Sequence, residues 1–223
     1  MRIPRIKTIQ DDSVEEEIFS IKDYEKPEFP YLKTSSVNDK LIKRIERVVR
    51  GSIEYKEYIQ YLKDELDLNY CSYFQSIDWN DVTIDMHHSL FNLYDIVSIV
   101  INKQLINNSN VTVWDIAEEV MLLHYDNKVA LTPLSRTVHD LVHTNDVFIP
   151  IQMQYGDWYS FYKEYKKYMT EDQIKTINEI VKASNDYEKE IKLPDILRRK
   201  YIYIECDGLT LPKKIKVKEE DIC

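Results

Sequence analysis

The chain has 223 residues, a formal net charge of -9, 43% hydrophobic and 12% aromatic residues, and only 3 glycines. That composition is globular and long enough to bury a core, and no run of about 18 uncharged apolar residues is present, which excludes a disordered chain and a membrane-spanning one. Gly51, Gly156 and Gly208 stand singly, which excludes phosphate-cradling P-loops and GxGxxG turns. Cys71, Cys206 and Cys223 form no CxxC pair, which excludes a four-cysteine zinc ribbon and suits a reducing compartment. The opening MRIPRIKTIQDD carries no apolar stretch of the secretory kind, so the expected location is cytoplasmic, the host's cytoplasm for a phage protein. Richness in Ile, Asn, Lys and Tyr fits AT-rich coding of the sort a phage carries.

In chain order, residues 1–36 read as an irregular acidic arm, with Asp11, Asp12 and Glu15 to Glu17 and prolines at 4, 27 and 30. Residues 37–69 form a helical segment: Leu41, Ile42, Ile45, Val48, Val49, Ile53, Ile59 and Leu62 follow helical spacing, Asn38 or Asp39 caps, and Gly51 interrupts. Lys40, Lys43, Arg44, Arg47 and Arg50 make one end of it basic, read as a solvated face ahead of the alternative of a DNA contact. Within 70–146, Tyr70–Phe74 and Val82–Met86 read as short strands around the turn residues Asp78 to Asp81. Leu93 to Leu105 and Thr112 to His124 read as helices, the second opened by a Thr112/Asp115 capping box. Lys128 to Leu131 reads as a strand stopped by Pro133, and Ser135 caps a helix through His143. Residues 147–193 read as a strand to Tyr155 and then two helices. The first carries the stripe Trp158, Phe161, Tyr162, Tyr165 and Met169, read as core packing ahead of base stacking on the tyrosines, and the second opens at Thr170 and Gln173. Trp79 and Trp114 are also assigned to the core. Residues 194–223 are a basic tail: over 188–218, nine cations face five acids.

All five histidines, His87, His88, His124, His139 and His143, fall inside about a quarter of the chain. His87 and His88 sit at a strand end, where neighbours point to opposite faces and do different jobs. His139 and His143 lie at i and i+4 on one side of a helix, a spacing with which two imidazoles grip one ion. A third ligand from His87 or His88 leaves positions open, as a catalytic site requires. Asp85 is two residues from His87 on the same strand face and can orient a ligand imidazole; His124 reads as structural.

The segments DVTIDMHHSLFNLYD and KVALTPLSRTVHDLVHTND together resemble the HNH, or ββα-metal, nucleases, closest to the colicin and pyocin DNase variant with its His-His pair and HxxxH. The resemblance covers Asp81 to Asn145. It implies an α+β fold with a ββα-metal core and inserted and flanking helices. It also implies one divalent ion (Zn, Mn, Ni or Mg) held by His87, His139 and His143, with His88 as the general base. Arg136, three residues before His139 on the same helical face, reads from its position as either a phosphate clamp or a surface salt bridge. The family's middle asparagine falls at Ala130 here; Asn127, three residues earlier, is the candidate replacement, and Asn92 can fix the loop after the pair. The expected function is metal-dependent endonuclease action on DNA, with a protein partner as a further expectation and no membrane. The alternatives are a zinc-stapled or degenerate HNH-fold structural or regulatory protein, and an HD-type phosphohydrolase, in which His139-Asp140 would sit on long helices. A third, the HExxH metalloprotease pattern, has Asp140 in place of its glutamate. The charge of -9 opposes nonspecific DNA binding unless the basic segments 40–50 and 198–218 converge.

Overall fold

In the computed structural model, which describes residues 20–21, 31–34, 37–74, 78–107 and 110–190, the apolar stripe beginning at Val37 folds as two helices. The first, α1 (Asp39–Gly51), starts at Asn38, whose side chain accepts the Leu41 amide, and it buries Ile42, Ile45 and Val49. Ser52 then leaves helical geometry and its hydroxyl accepts the Tyr55 amide, so α2 (Ile53–Asp64) begins with its own cap. The interruption expected at Gly51 is therefore a helix end followed at once by a helix start.

The only sheet among the described residues is an antiparallel pair, β1 (Ile84–His88) and β2 (Leu131–Ser135), with Asp85 opposite Leu134 and His87 opposite Thr132. Between them lie α3 (Leu93–Asn107) and α4 (Val113–Tyr125), the second opened by the reciprocal Thr112 and Asp115 bonds of a capping box. β2 leads directly into α5 (Arg136–His143), for which Ser135 occupies the cap position without a side-chain cap bond. After a 3-10 turn at Ile151–Met153 come α6 (Trp158–Tyr165), a second such turn at Lys166–Tyr168, and α7 (Glu171–Glu190), whose start is closed by Thr170 and Gln173.

Three strand expectations are corrected. Tyr70–Phe74 is irregular apart from a bridge from Tyr70 to Asp78, and Ser72 donates its amide to the Pro133 carbonyl instead of to a ladder. The second strand lies at 131–135, not 128–131, and Pro133 sits inside it. Because the Pro133 carbonyl turns away from β1 to meet Ser72, its missing N–H also falls on the side that the β1 ladder does not use. From Val147 to Tyr155 no strand forms. Ile151 and Met153 turn into the core through a 3-10 turn, and Tyr155 alone rejoins the sheet by exchanging both backbone bonds with Leu131.

The larger core joins α1 to α4 with α6 and α7, burying Ile45, Leu62, Val97, Ile116, Phe161 and Val181. A smaller one (Cys71, Ile84, Leu134, Val138, Ile149 and Met153) fills the space between the sheet and α5. The aromatic stripe of α6 is core, as is Trp114, but Trp79 is exposed. The architecture is α+β: seven helices about a two-stranded sheet among the described residues. Most of the acidic arm and all of the tail 194–223 lie outside the described residues. Within the arm, Ile21 donates its amide to the buried Glu54 carboxylate at 2.9 Å.

Candidate metal centre

Strand pleating separates the two adjacent histidines. His87 turns toward α5, its ring centroid 5.1 Å from that of His139 and 5.3 Å from that of His143. On α5 the i,i+4 spacing sets His139 Nε2 and His143 Nε2 3.2 Å apart. One ring nitrogen from each of the three lies within 4.8 Å of the others. Two ligands on a tetrahedral ion with bonds of about 2.0–2.1 Å stand about 3.3–3.4 Å apart, so the α5 pair is already near that edge. His87 is buried, His139 half-buried and His143 exposed, so the cluster runs from the sheet outward to solvent.

Burial first, and then the neighbouring His139 and His143, lower the His87 pKa to about 4; burial and His143 also lower that of His139. Both effects keep these rings neutral at physiological pH, the state that offers a lone pair to a metal. Asp85, one pleat before His87, brings its carboxylate within 3.9 Å of His139 Nδ1, the ring nitrogen opposite the cluster. That is the place from which a carboxylate orients a ligand imidazole.

His88 does not join this group. It turns to the other side of β1, stacks on Tyr55, and sets its Nε2 3.1 Å from His124 Nε2. The partner, His124, places Nδ1 2.7 Å from the Val120 carbonyl. A carbonyl only accepts, so Nδ1 of His124 carries the proton; the ring is kept neutral by burial, which lowers its pKa to about 4. Its Nε2 is then an acceptor and His88 Nε2 is the donor. The expected general base is thus committed to a buried hydrogen bond beneath the sheet, and burial and His124 hold its pKa well below the usual value. Nothing in the local sequence signals this pairing, because the partners are 36 residues apart.

The cluster opens into a cleft of about 790 Å³ whose walls include Arg50, Lys63, Asp85, Arg136 and Asp140. Arg136, the first residue of α5, takes its place there while its backbone amide binds the Thr83 carbonyl. Lys63 donates to the Ile84 carbonyl at 2.7 Å, and Arg50 comes from the end of α1. Lys63 was not singled out by sequence; Arg50 was, as part of the basic stripe read as a solvated face ahead of a DNA contact. Asn127 does not line the cleft. It sits in a turn with φ of 53°, and its side chain accepts from the Tyr155 hydroxyl. Asn92 does line the cleft, and it also caps the start of α3 by accepting the Asp95 amide. Ala130, at the position of the missing asparagine, is fully buried. The strand at 84–88 also replaces the long helix that an HD-type arrangement requires.

Among the described residues no helix is long and apolar enough to cross a membrane. Neither the curated proteins nor the solved structures include a match. A family model described as bacteriophage G278-like virion protein matches residues 3–218. The chain therefore belongs to the bacteriophage G278-like virion protein family.

Proposed function

We propose that this protein is a component of a phage particle that cleaves DNA phosphodiester bonds with the help of one divalent transition-metal ion. The observation that carries the reading is the convergence of His87, His139 and His143 in a cleft also walled by Arg50, Lys63 and Arg136. Three neutral imidazoles favour Zn, Mn, Ni or Co over an ion that demands an all-oxygen shell. Such an ion supplies Lewis-acid stabilisation of charge building on phosphoryl and leaving oxygens. The chain's own groups do the rest. Arg136 offers a planar fork to the non-bridging oxygens, and Asp85, 3.9 Å from His139 Nδ1, is positioned to close on that nitrogen and orient the ring. His88 also borders the cleft, but its Nε2 is held by His124, so Asp140 on the same wall is assigned to take the proton of the attacking water.

A second reading, in which the ion only staples β1 to α5, draws on the turning away of His88. Calorimetric titration of Zn or Mn into the chelator-stripped protein, paired with plasmid nicking, separates the two. The expected result is one ion per chain and nicking that falls at least 100-fold in His139→Ala. One bound ion with no nicking on any DNA form leaves the staple alone, and no binding sinks both readings.

A further inference from the structure

The cations of α1 form a pattern that the metal cluster does not use up. Lys40, Lys43, Arg44, Arg47 and Arg50 are all exposed, whereas Ile42, Ile45 and Val49 on the same helix are buried. At 3.6 residues per turn and 1.5 Å per residue, the five cations fall within about 120° of the helix circumference, opposite the buried stripe, and span about 15 Å of its axis. The acidic neighbours lie to the side. Asp39 is engaged by the Tyr94 hydroxyl at 2.6 Å, and the half-buried Glu46 offsets part of the charge of Arg50, Lys43 and Arg47, leaving the stripe in excess by three positive charges on this helix. At its C-terminal end the stripe reaches the metal cleft, because Arg50 is one of the cleft's walls.

We propose that the basic stripe of α1 is a docking track for the phosphate backbone of duplex DNA, leading one strand into the histidine cleft at Arg50. The choice of polyanion rests on the phosphodiesterase reading, and the track adds how a chain of net charge -9 holds such a substrate. Measured along the duplex axis, about 15 Å corresponds to roughly four steps of about 3.4 Å on one strand, so the helix carries about as many cations as one strand has phosphates over that length. An acidic protein would answer the same charge. DNA is favoured because the stripe continues into a cleft that also holds Lys63, Arg136 and the three clustered histidines. A local basic face of this kind is invisible to net charge, which averages over the whole surface.

The test is fluorescence anisotropy of a labelled 20-base-pair duplex with the full chain in EDTA, at 50 to 200 mM salt. Lys43→Gln with Arg47→Gln should weaken binding at least tenfold at 50 mM salt. It should also lower the salt slope by about 1.8, from about 0.9 per lost phosphate contact. Lys175→Gln with Lys182→Gln removes the same charge from α7 and should change neither quantity. No duplex binding by the wild type at 50 mM salt, or equal losses in both variants, overturns the track. So does a wild type that ignores the duplex and binds polyglutamate. Because EDTA removes any metal, the two readings fail separately. Binding along the stripe without nicking sinks the phosphodiesterase, and nicking with unaltered binding by the α1 variant sinks the track.

Discussion

His87 and His88 are chemically identical neighbours that the strand sends into opposite environments. One faces two imidazoles beside solvent, and the other faces Tyr55 and His124 in the interior. Their alanine variants should therefore fail differently. His88→Ala leaves His124 Nε2 buried without its donor and opens a void beside Tyr55. We expect it to cost about 2–4 kcal/mol of stability while the cleft still binds a metal ion. His87→Ala should lose at least 100-fold in metal affinity with a smaller effect on the metal-free fold. Urea denaturation and calorimetric titration of both variants check this, and interchanged phenotypes would mean that β1 faces the other way. The cluster was legible in sequence because its parts are local: i,i+4 on a helix and a pair on a strand. The His88–His124 bond was not, since no spacing rule relates a strand end to a helix residue two elements later.

At the scale of elements, helices were read closely and strands poorly, for a physical reason. The boundaries of α1, α4 and α7 are marked by side chains that cap their own backbone, Asn38, Thr112 and Thr170, and such signals sit within three residues of their targets. Strand β2 has no such marker. It is bounded by a junction in which Tyr155 pairs with Leu131, Asp157 donates its amide to the Asn127 carbonyl, and the Tyr155 hydroxyl donates to the Asn127 side chain. Gly156 makes that crossing possible. Its φ is +110°, and a Cβ there would lie 2.3 Å from the Val129 carbonyl oxygen. Backbone cannot step aside as a flexible side chain can, so Gly156→Ala should destabilise the protein by at least about 2 kcal/mol. Thermal or urea melts would show it, and a variant as stable as wild type would mean that the junction does not hold β2 in place.

Across the whole molecule, the balance of buried imidazoles sets the response to acid. The pKa values of His87 and His124 are lowered to about 4, and that of His88 well below the ordinary value of 6.5. Between pH 6.5 and about 4 the unfolded chain binds protons that the folded chain does not. Each of these groups therefore removes about 1.4 kcal/mol of stability per pH unit as the pH falls through that window. The urea midpoint of the metal-free protein should drop markedly between pH 7 and pH 5, whereas an unchanged midpoint would contradict the burial of these rings. A bound ion competes with protons for His87, so saturating metal should flatten part of the slope. The composition pointed to a phage, and family membership agrees. The charge of -9 gave no sign that cations gather on α1 and around one cleft, because a sum carries no positions.

The twin histidines also bear on how the sheet finds its alignment. Sliding β1 by one residue against β2 would exchange the faces of every side chain on it, yet each face of the strand end would still carry one imidazole, and one of the two native positions would still hold one. The pair is thus a weak guard against the error. What detects it is Asp85 with its neighbours. The slip would drive that carboxylate toward the space that Ile84 and Met86 fill and turn those two apolar side chains outward. Fidelity of the strand pairing rests on the residues ahead of the histidines, which leaves His87 and His88 free to be the same amino acid.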